Sequence, residues 1–384
     1  MKENDKGNTA QSPSPSKKKK EHCTMANDTG PALTFAKPSP RASTVLELRH
    51  APAQSPAAGE VAVQLLHAPV NPQDLLIIAG KYPIRPRFHT PDGGSIAGYD
   101  GVGRIEAVGS GVAGLKLGDL VIPTAQGLGT WRRRAVWSAG DVVAVPPCTD
   151  ARAAALLRMA VLPAYLLLED VQTLKPGDWV IQNAGTSAVA QLLTQLAKLR
   201  GVRTISVFRD RVPGQGADES NEQTKARLQA AGVDIALPES ELDTTTELYG
   251  KNIVLALDSV WGASGEKLVR RLAKGGVFVN YGLLGGIAAL NTPLQLTHEA
   301  LFGRLVTVRS FRSSESLAKR SHAELQALLA WLVSLFNDNV LKVPPLREIK
   351  WHGREGVEAE VRSALEQTEG GHVGLPKLVF DFSS

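Results

Sequence analysis

The 384-residue sequence predicts an α/β protein in two parts, a partly open β-barrel followed by a parallel sheet with crossover helices. Three observations carry this prediction. Between about 44 and 147, short apolar or alternating segments (TVLELRH, VAVQLLHAPV, GVGRIEAVG, LVIPTA) are separated by glycine and proline turns, the pattern of a small barrel. Between about 155 and 310 the period changes, and extended segments alternate with helical ones: WVIQNA, AVAQLLTQLAKLRG, TISVFR, KARLQAAG, IVLALDSV, EKLVRRLAKGG, VFVNYGLLGG. The composition, 43% hydrophobic and 21% charged, is that of a globular chain long enough for two domains.

In chain order, the first 32 residues are rich in Lys, Ser, Asn and Pro and read as a disordered tail. Glu3, Asp5, Glu21 and Asp28, with no arginine, make it unlike an imported presequence, and Met25 is an alternative start. The net charge of +5 owes part of its size to the lysine run at 17–20, so a nucleic-acid surface is not indicated. Cys23 and Cys148 build neither a disulfide framework nor a zinc lobe, which points to a reducing compartment. No apolar run approaches the roughly 20 residues needed to span a bilayer. A helix is expected at 322–337, a turn at Pro344 and Pro345, a second helix near 356–367, and a closing strand in PKLVFDF that returns to the first domain. The expected boundaries are a tail at 1–32, a barrel domain at 33–154 and 313–384, and a parallel-sheet domain at 155–312.

The first strand-to-helix turn of the parallel sheet, NAGTSAVAQ at 183–191, is where a dinucleotide pyrophosphate would sit. Gly185 is present, but Ala188 and Ala190 stand where glycine allows the closest approach, so any βα turn explains the segment equally well. The next strand ends in SVFRDR. Arg209 and Arg211 there favour NADPH over NADH, because a guanidinium holds a 2′-phosphate that a carboxylate would repel; a solvated turn is the plain alternative. The glycine-rich NYGLLGG turn at 280–286 follows the fourth of these extended segments, and Tyr82 lies in AGKYPIRPRF, a loop punctuated by glycine and prolines.

NPQDLLIIAGKYPIRP at 71–86, GYDGVGRIEAVGSGV at 98–112, LKLGDLVI at 115–122, GLGTWRRRAVWS at 127–138, LKPGDWVIQNAGTSAVAQ at 174–191 and RTISVFRDR at 203–211 together resemble the medium-chain dehydrogenase/reductase superfamily. Within it they are most similar to the trans-2-enoyl-CoA reductase (2-enoyl thioester reductase) family of mitochondria. The resemblance implies a GroES-like barrel, a Rossmann domain, and NADPH-dependent reduction of enoyl-CoA or enoyl acyl carrier protein by a mitochondrial homodimer. It makes Tyr82 the proton donor, and a phenol that stays protonated at neutral pH suits that role. It places Asn71 near the nicotinamide or the tyrosine, and Trp131 in the acyl pocket. Asn183, Thr186, Ser187 and Val189 fall on the pyrophosphate, Arg209 and Arg211 on the 2′-phosphate, and Tyr281, Gly282 and Phe311 around the nicotinamide. Lys377 becomes a candidate for the cofactor or CoA phosphates.

No zinc ligand set can be assembled from the scattered His67, His89, His298, His322, His352 and His372, so a metal-free reductase is expected. The sequence departs from the family at Leu162, where an asparagine is expected, at Ala188 and Ala190, and at Arg312. Arg85, Arg87 and His89 form a basic rim beside Tyr82 that suits CoA phosphates or a plain solvated loop. A zinc-free quinone or α,β-unsaturated ketone reductase in the cytoplasm, and a noncatalytic NADPH- or RNA-binding paralogue, remain as other readings.

Overall fold

The computed structural model describes Met1 and residues 30–51, 54–212, 217–351, 356–370 and 376–383. The segment holding Cys23, the lysine run and Met25 lies outside the described residues, as do His352 and His372. The last three residues read as tail belong instead to a strand. β1 (Gly30–Phe35) pairs antiparallel with β2 (Glu47–Ala51), and the Leu33 N–H donates to the Trp131 carbonyl at 2.9 Å. Burial of Ala32 and Leu33 is what recruits the segment into the fold.

The barrel is built on β3 (Glu60–Pro69), which leads into the short helix α1 (Pro72–Ile78). After it come β4 (Ser95–Ile96), β5 (Val102–Val108), β6 (Leu120–Pro123), β7 (Arg134–Ser138) and β8 (Val142–Val145). β3 pairs antiparallel with both β5 and β7.

The chain then enters α2 (Ala151–Leu156), a π turn at Leu157–Val161, and α3 (Leu162–Glu169). Taken together, Ala151–Glu169 is apolar and long enough to cross a membrane by length and composition, which the sequence reading did not expect. It is nevertheless a core helix, with 72% of its apolar window buried inside the protein, and Leu162 is part of that core.

The parallel sheet comprises β9 (Trp179–Gln182), β10 (Arg203–Phe208), β11 (Ile235–Pro238), β12 (Ile253–Asp258), β13 (Val277–Asn280) and β14 (Thr307–Ser310). Its crossover helices include α4 (Ala188–Leu199), α5 (Asn221–Ala230) and α6 (Ala263–Arg271). The order β11-β10-β9-β12-β13-β14, parallel throughout, is the doubly wound arrangement that binds dinucleotides at the strand ends where the order reverses. All four residues of β9 are buried, as expected of a strand covered on both faces.

The last elements are α7 (Ser313–Leu317), α8 (His322–Asn337), β15 (Leu346–Lys350), α9 (Val357–Glu369) and β16 (Lys377–Asp381). The chain does return to the barrel: β16 pairs antiparallel with β3, and β15 lies outside it in parallel. α8 begins with Ser321 and Glu324 capping each other's backbone N–H groups, as their spacing predicts. Leu329, Leu332 and Phe336 of α8 share one apolar core with Val102 and Ile122 of the barrel and Leu192 and Leu196 of α4. That core fixes the two sheets relative to each other.

Candidate active site

Two turns of helix position the first half of the site. Asn71 caps α1, its N–H donating to Asp74 Oδ2 at 2.6 Å, and Pro72 fills the first helical position, where a missing N–H costs nothing. The helix stops at Gly80, whose φ of +67° is a conformation that favours glycine. There the Gly80 and Lys81 N–H groups close onto the Ile77 and Leu76 carbonyls, at 2.9 Å each. Tyr82 follows at once and is half-buried. Asn71, Asp74 and Tyr82 are thus set by one element.

Around them lies an enclosed polar cluster. Lys377 Nζ donates to Asn71 Oδ1 at 2.7 Å and to the Val70 carbonyl at 3.1 Å, and Arg158 on the π turn donates to the Tyr99 carbonyl at 2.5 Å. Burial pushes the Asp74 carboxyl up to about 7, opposed by the Asn71 hydrogen bond and the Lys377 charge. Burial likewise pushes Asp100 up to about 6 against the charges of Arg158 and Lys377. The same desolvation lowers Lys377 and raises the Tyr99 phenol, which also feels Tyr82. Asn71 Nδ2, Asp74 Oδ1, Tyr99 Oη and Asp100 Oδ2 are all buried without a hydrogen-bond partner. Such orphaned atoms are costly singly, and a group of them suits a place that a ligand or water completes.

A carboxyl whose folded pKa is raised from 3.8 to about 7 binds more protons folded than unfolded between those values. Its contribution to stability is therefore fully present below pH 4 and is lost as pH rises to 7. Asp74→Asn, which keeps an acceptor for the Asn71 N–H, should gain stability relative to the parent over that window, on the order of a few kcal/mol. Urea unfolding at pH 4.5 and 7.5 measures this, and an equal difference at both values would contradict it.

The second half lies at the ends of β9, β10, β12 and β13. Gly185 is required by contact, since a Cβ there would sit 2.8 Å from Ser206 Cβ. Ser187 caps α4, its Oγ accepting from the Ala190 N–H at 3.2 Å, while helical geometry leaves the Ala188 and Val189 N–H groups open. The Ala188 and Val189 side chains are half-buried. Ala190, one of the two alanines standing where glycine allows the closest approach, is wholly buried, whereas Ala188 is not.

Arg211 is only 5% exposed and reaches Thr186 Oγ1 at 3.5 Å and Thr224 Oγ1 at 3.4 Å, with its guanidinium 5.6 Å from the Phe208 ring centroid. Two sequence-predicted residues, Thr186 and Arg211, thereby meet. Arg211 has no carboxylate within ion-pair distance among the described residues. Asp210 turns away to accept from the backbone and hydroxyl of Ser240, and Arg209 is exposed. Gly282 packs on Ser259, where a Cβ would be 3.1 Å from the Ser259 Cβ. Tyr281 beside it is half-buried, its phenol pushed up to about 12 by desolvation. Phe311 is half-buried and lines a small cavity with Val279 and Arg312.

Three expectations are corrected. Asn183 does not turn to the pyrophosphate, because its Nδ2 donates to Asp258 Oδ1 at 2.6 Å and its Oδ1 accepts the Ser259 N–H at 2.8 Å. Trp131 is 0% exposed in the barrel core, edge-on to Phe380 at 5.2 Å, instead of facing open space. Lys377 points inward to Asn71 instead of out to phosphates. Of the basic rim, Arg85 and His89 are exposed and Arg87 is paired with Asp141 at 2.8 Å.

Residues 57–147 match the family model described as the alcohol dehydrogenase GroES-like domain. The chain is 36% identical over 304 residues to the rat mitochondrial enoyl acyl-carrier-protein reductase, covering 78% of this chain and 77% of that protein. The chain belongs to this mitochondrial enoyl reductase family. The human member is 35% identical over 309 residues, covering 79% and 78% of the two chains. The solved mitochondrial 2-enoyl thioester reductase Etr1p/Etr2p heterodimer of Candida tropicalis superposes with a TM-score of 0.77 at 25% identity, over 92% of this chain and 99% of that one. The Etr1p complex with NADP and crotonyl-CoA gives 0.78 at 26%, with the same coverage.

In this family member, Asp258 is the main organiser that sequence reasoning missed. Its carboxylate accepts from Asn183, from Asn280 Nδ2 at 2.9 Å, and from the Val260 and Trp261 N–H groups at 3.1 and 3.0 Å, tying three strand ends together. An acid closing the apolar strand IVLALD was the available signal. Asp74, Asp100 and Arg158 were missed as well, since only folding encloses them.

Proposed function

We propose that the chain reduces trans-2-enoyl thioesters of CoA or acyl carrier protein to saturated acyl thioesters with NADPH. The observation that carries this is Tyr82 on the loop leaving α1, whose phenol acts electrostatically on the buried Tyr99 that Asp74 also faces, in a chain of the enoyl reductase family. The donor set fits the cofactor. The open N–H groups at Ala188 and Val189, with Thr186 and Ser187, suit a pyrophosphate, Arg211 and Arg209 a 2′-phosphate, and Tyr281, Gly282 and Phe311 the nicotinamide end. When bound, NADPH supplies a hydride to Cβ of the substrate.

Tyr82 supplies the proton. Negative charge arriving on the thioester oxygen collapses toward Cα as the phenolic O–H bond breaks and a Cα–H bond forms, leaving a phenolate that solvent reprotonates. Asn71, held by Lys377, presents its unpartnered amide as a donor within this cluster. Reaction of a trans-2-enoyl-CoA with NADPH in deuterated water tests the reading by mass spectrometry. The saturated product should carry one hydrogen from NADPH and one deuterium from solvent; recovery of unreduced thioester would refute it.

The reading extends to a mitochondrial homodimer. All four residues of β14, Val308 among them, are exposed at the edge of the parallel sheet, with Phe302 and Leu305 exposed near it, an edge suited to pairing with a second copy. Light scattering should give twice the chain mass, and Val308→Lys should shift it toward the monomer; a wild-type monomer at micromolar concentration would contradict this. The mitochondrial assignment is supported by the relatives' compartment, and cell fractionation with the full chain tests it.

A further inference from the structure

Further along the same barrel strands, three strands bring together residues that are far apart in sequence. His67 on β3 stands directly opposite Asp381 on β16. Glu348 on β15 pairs with Val379, two residues before Asp381 and therefore on the same face. One ligand atom from each of the three lies within 4.8 Å of the others. His67 is 6% exposed, and its Nδ1 is buried with no hydrogen-bond partner, 3.6 Å from Asp381 Oδ1. A buried ring nitrogen without a partner, facing two carboxylates, is an arrangement a cation would complete.

We propose that His67, Glu348 and Asp381 bind a divalent transition-metal ion of the zinc or manganese class, at a site separate from the reaction centre. One imidazole and two carboxylates, with water in the open position, form a familiar ligand set for such ions. A tetrahedral site with bonds near 2.1 Å has ligand atoms about 3.4 Å apart, so the cluster needs only a small inward movement of side chains. Existing contacts compete for two of these ligands, so an ion would take their remaining lone pairs. Arg152 Nη1 engages Glu348 Oε1 at 3.1 Å, and Ser383 donates to Asp381 Oδ1 from its N–H at 2.9 Å and its hydroxyl at 2.6 Å. Burial lowers the His67 pKa, against the charges of Asp381, Glu348 and Asp150.

The ion would staple β15 and β16 to β3. β16 also carries Lys377, which holds Asn71, and His67 lies four residues before Asn71. The expectation of a metal-free chain rested on the missing cysteines and scattered histidines; this site uses no cysteine and only one histidine, so spacing in the sequence did not reveal it.

The test uses the full chain after treatment with chelator, titrated calorimetrically with zinc chloride and, separately, manganese chloride. At least one ion should bind at a single saturable site in the micromolar range and raise the unfolding midpoint. His67→Ala and Asp381→Asn should each weaken binding at least 100-fold, whereas His322→Ala on α8 should bind as the parent does. Cobalt(II) added to the parent chain gives an independent reading if those variants fold poorly. It should show ligand-field bands that zinc or manganese abolishes and no thiolate charge-transfer band. Parental binding weaker than about 1 mM for both ions, unchanged affinity in His67→Ala, or a thiolate band assigning the ion to cysteine would overturn the proposal.

Discussion

Tyr82→Phe should lower kcat for a trans-2-enoyl-CoA by at least about 100-fold, the scale of a lost general acid, while NADPH affinity stays within about twofold. The substitution removes one oxygen and keeps the ring, so α1, its glycine stop and the half-buried ring position are retained. Asn71, Asp74 and Lys377 stay in place because their contacts are with one another and not with the phenol. A fall in kcat with unchanged cofactor affinity therefore reports the proton alone. Equal losses in turnover and NADPH binding would show that Tyr82 shapes the site instead.

Arg211→Gln should weaken NADPH about 10- to 100-fold and leave NADH unaffected, since a charge-assisted hydrogen bond is worth roughly 1.5–3 kcal/mol. Arg211 is a nearly buried cation held only by two threonine hydroxyls and the Phe208 ring, among the described residues. Its energetic need for an anion is what gives the discrimination. Arg211→Lys should fall between the two, because it keeps the charge and loses the planar fork. Nucleotide fluorescence titrations measure all three proteins. If NADH weakens as much as NADPH, Arg211 supports the turn structurally and does not read the phosphate.

The reach of the sequence follows from how local each signal is. Tyr82, Asn71 and the Gly80 stop sit within twelve residues, so one short helix and its loop carried that half of the site into view. The parallel sheet with crossover helices was legible because β9, β10, β12 and β13 each read as apolar runs separated by helical segments. Strand β11, only IALP, gave no periodicity, and β14 is an exposed edge without an apolar face. Partner identity was not legible. Asn183 turns inward because Asp258 waits there, 75 residues later in the chain, and no local pattern announces such a pair. The inward aim of Trp131 and Lys377 depends on β16 returning to β3, which places Phe380 against the indole and Asn71 beside the ammonium. His67, Glu348 and Asp381 are joined by the same strand return.

The central claim is that this site acts on enoyl thioesters, and the most direct measurement is NADPH oxidation by the full chain with a trans-2-enoyl-CoA and with a quinone or simple enone, side by side. The account predicts a kcat/KM for the thioester at least about 100-fold above that for the quinone or enone, the scale expected when binding of the distant thioester handle contributes to the transition state. Equal efficiencies, or turnover of the quinone alone, would contradict it.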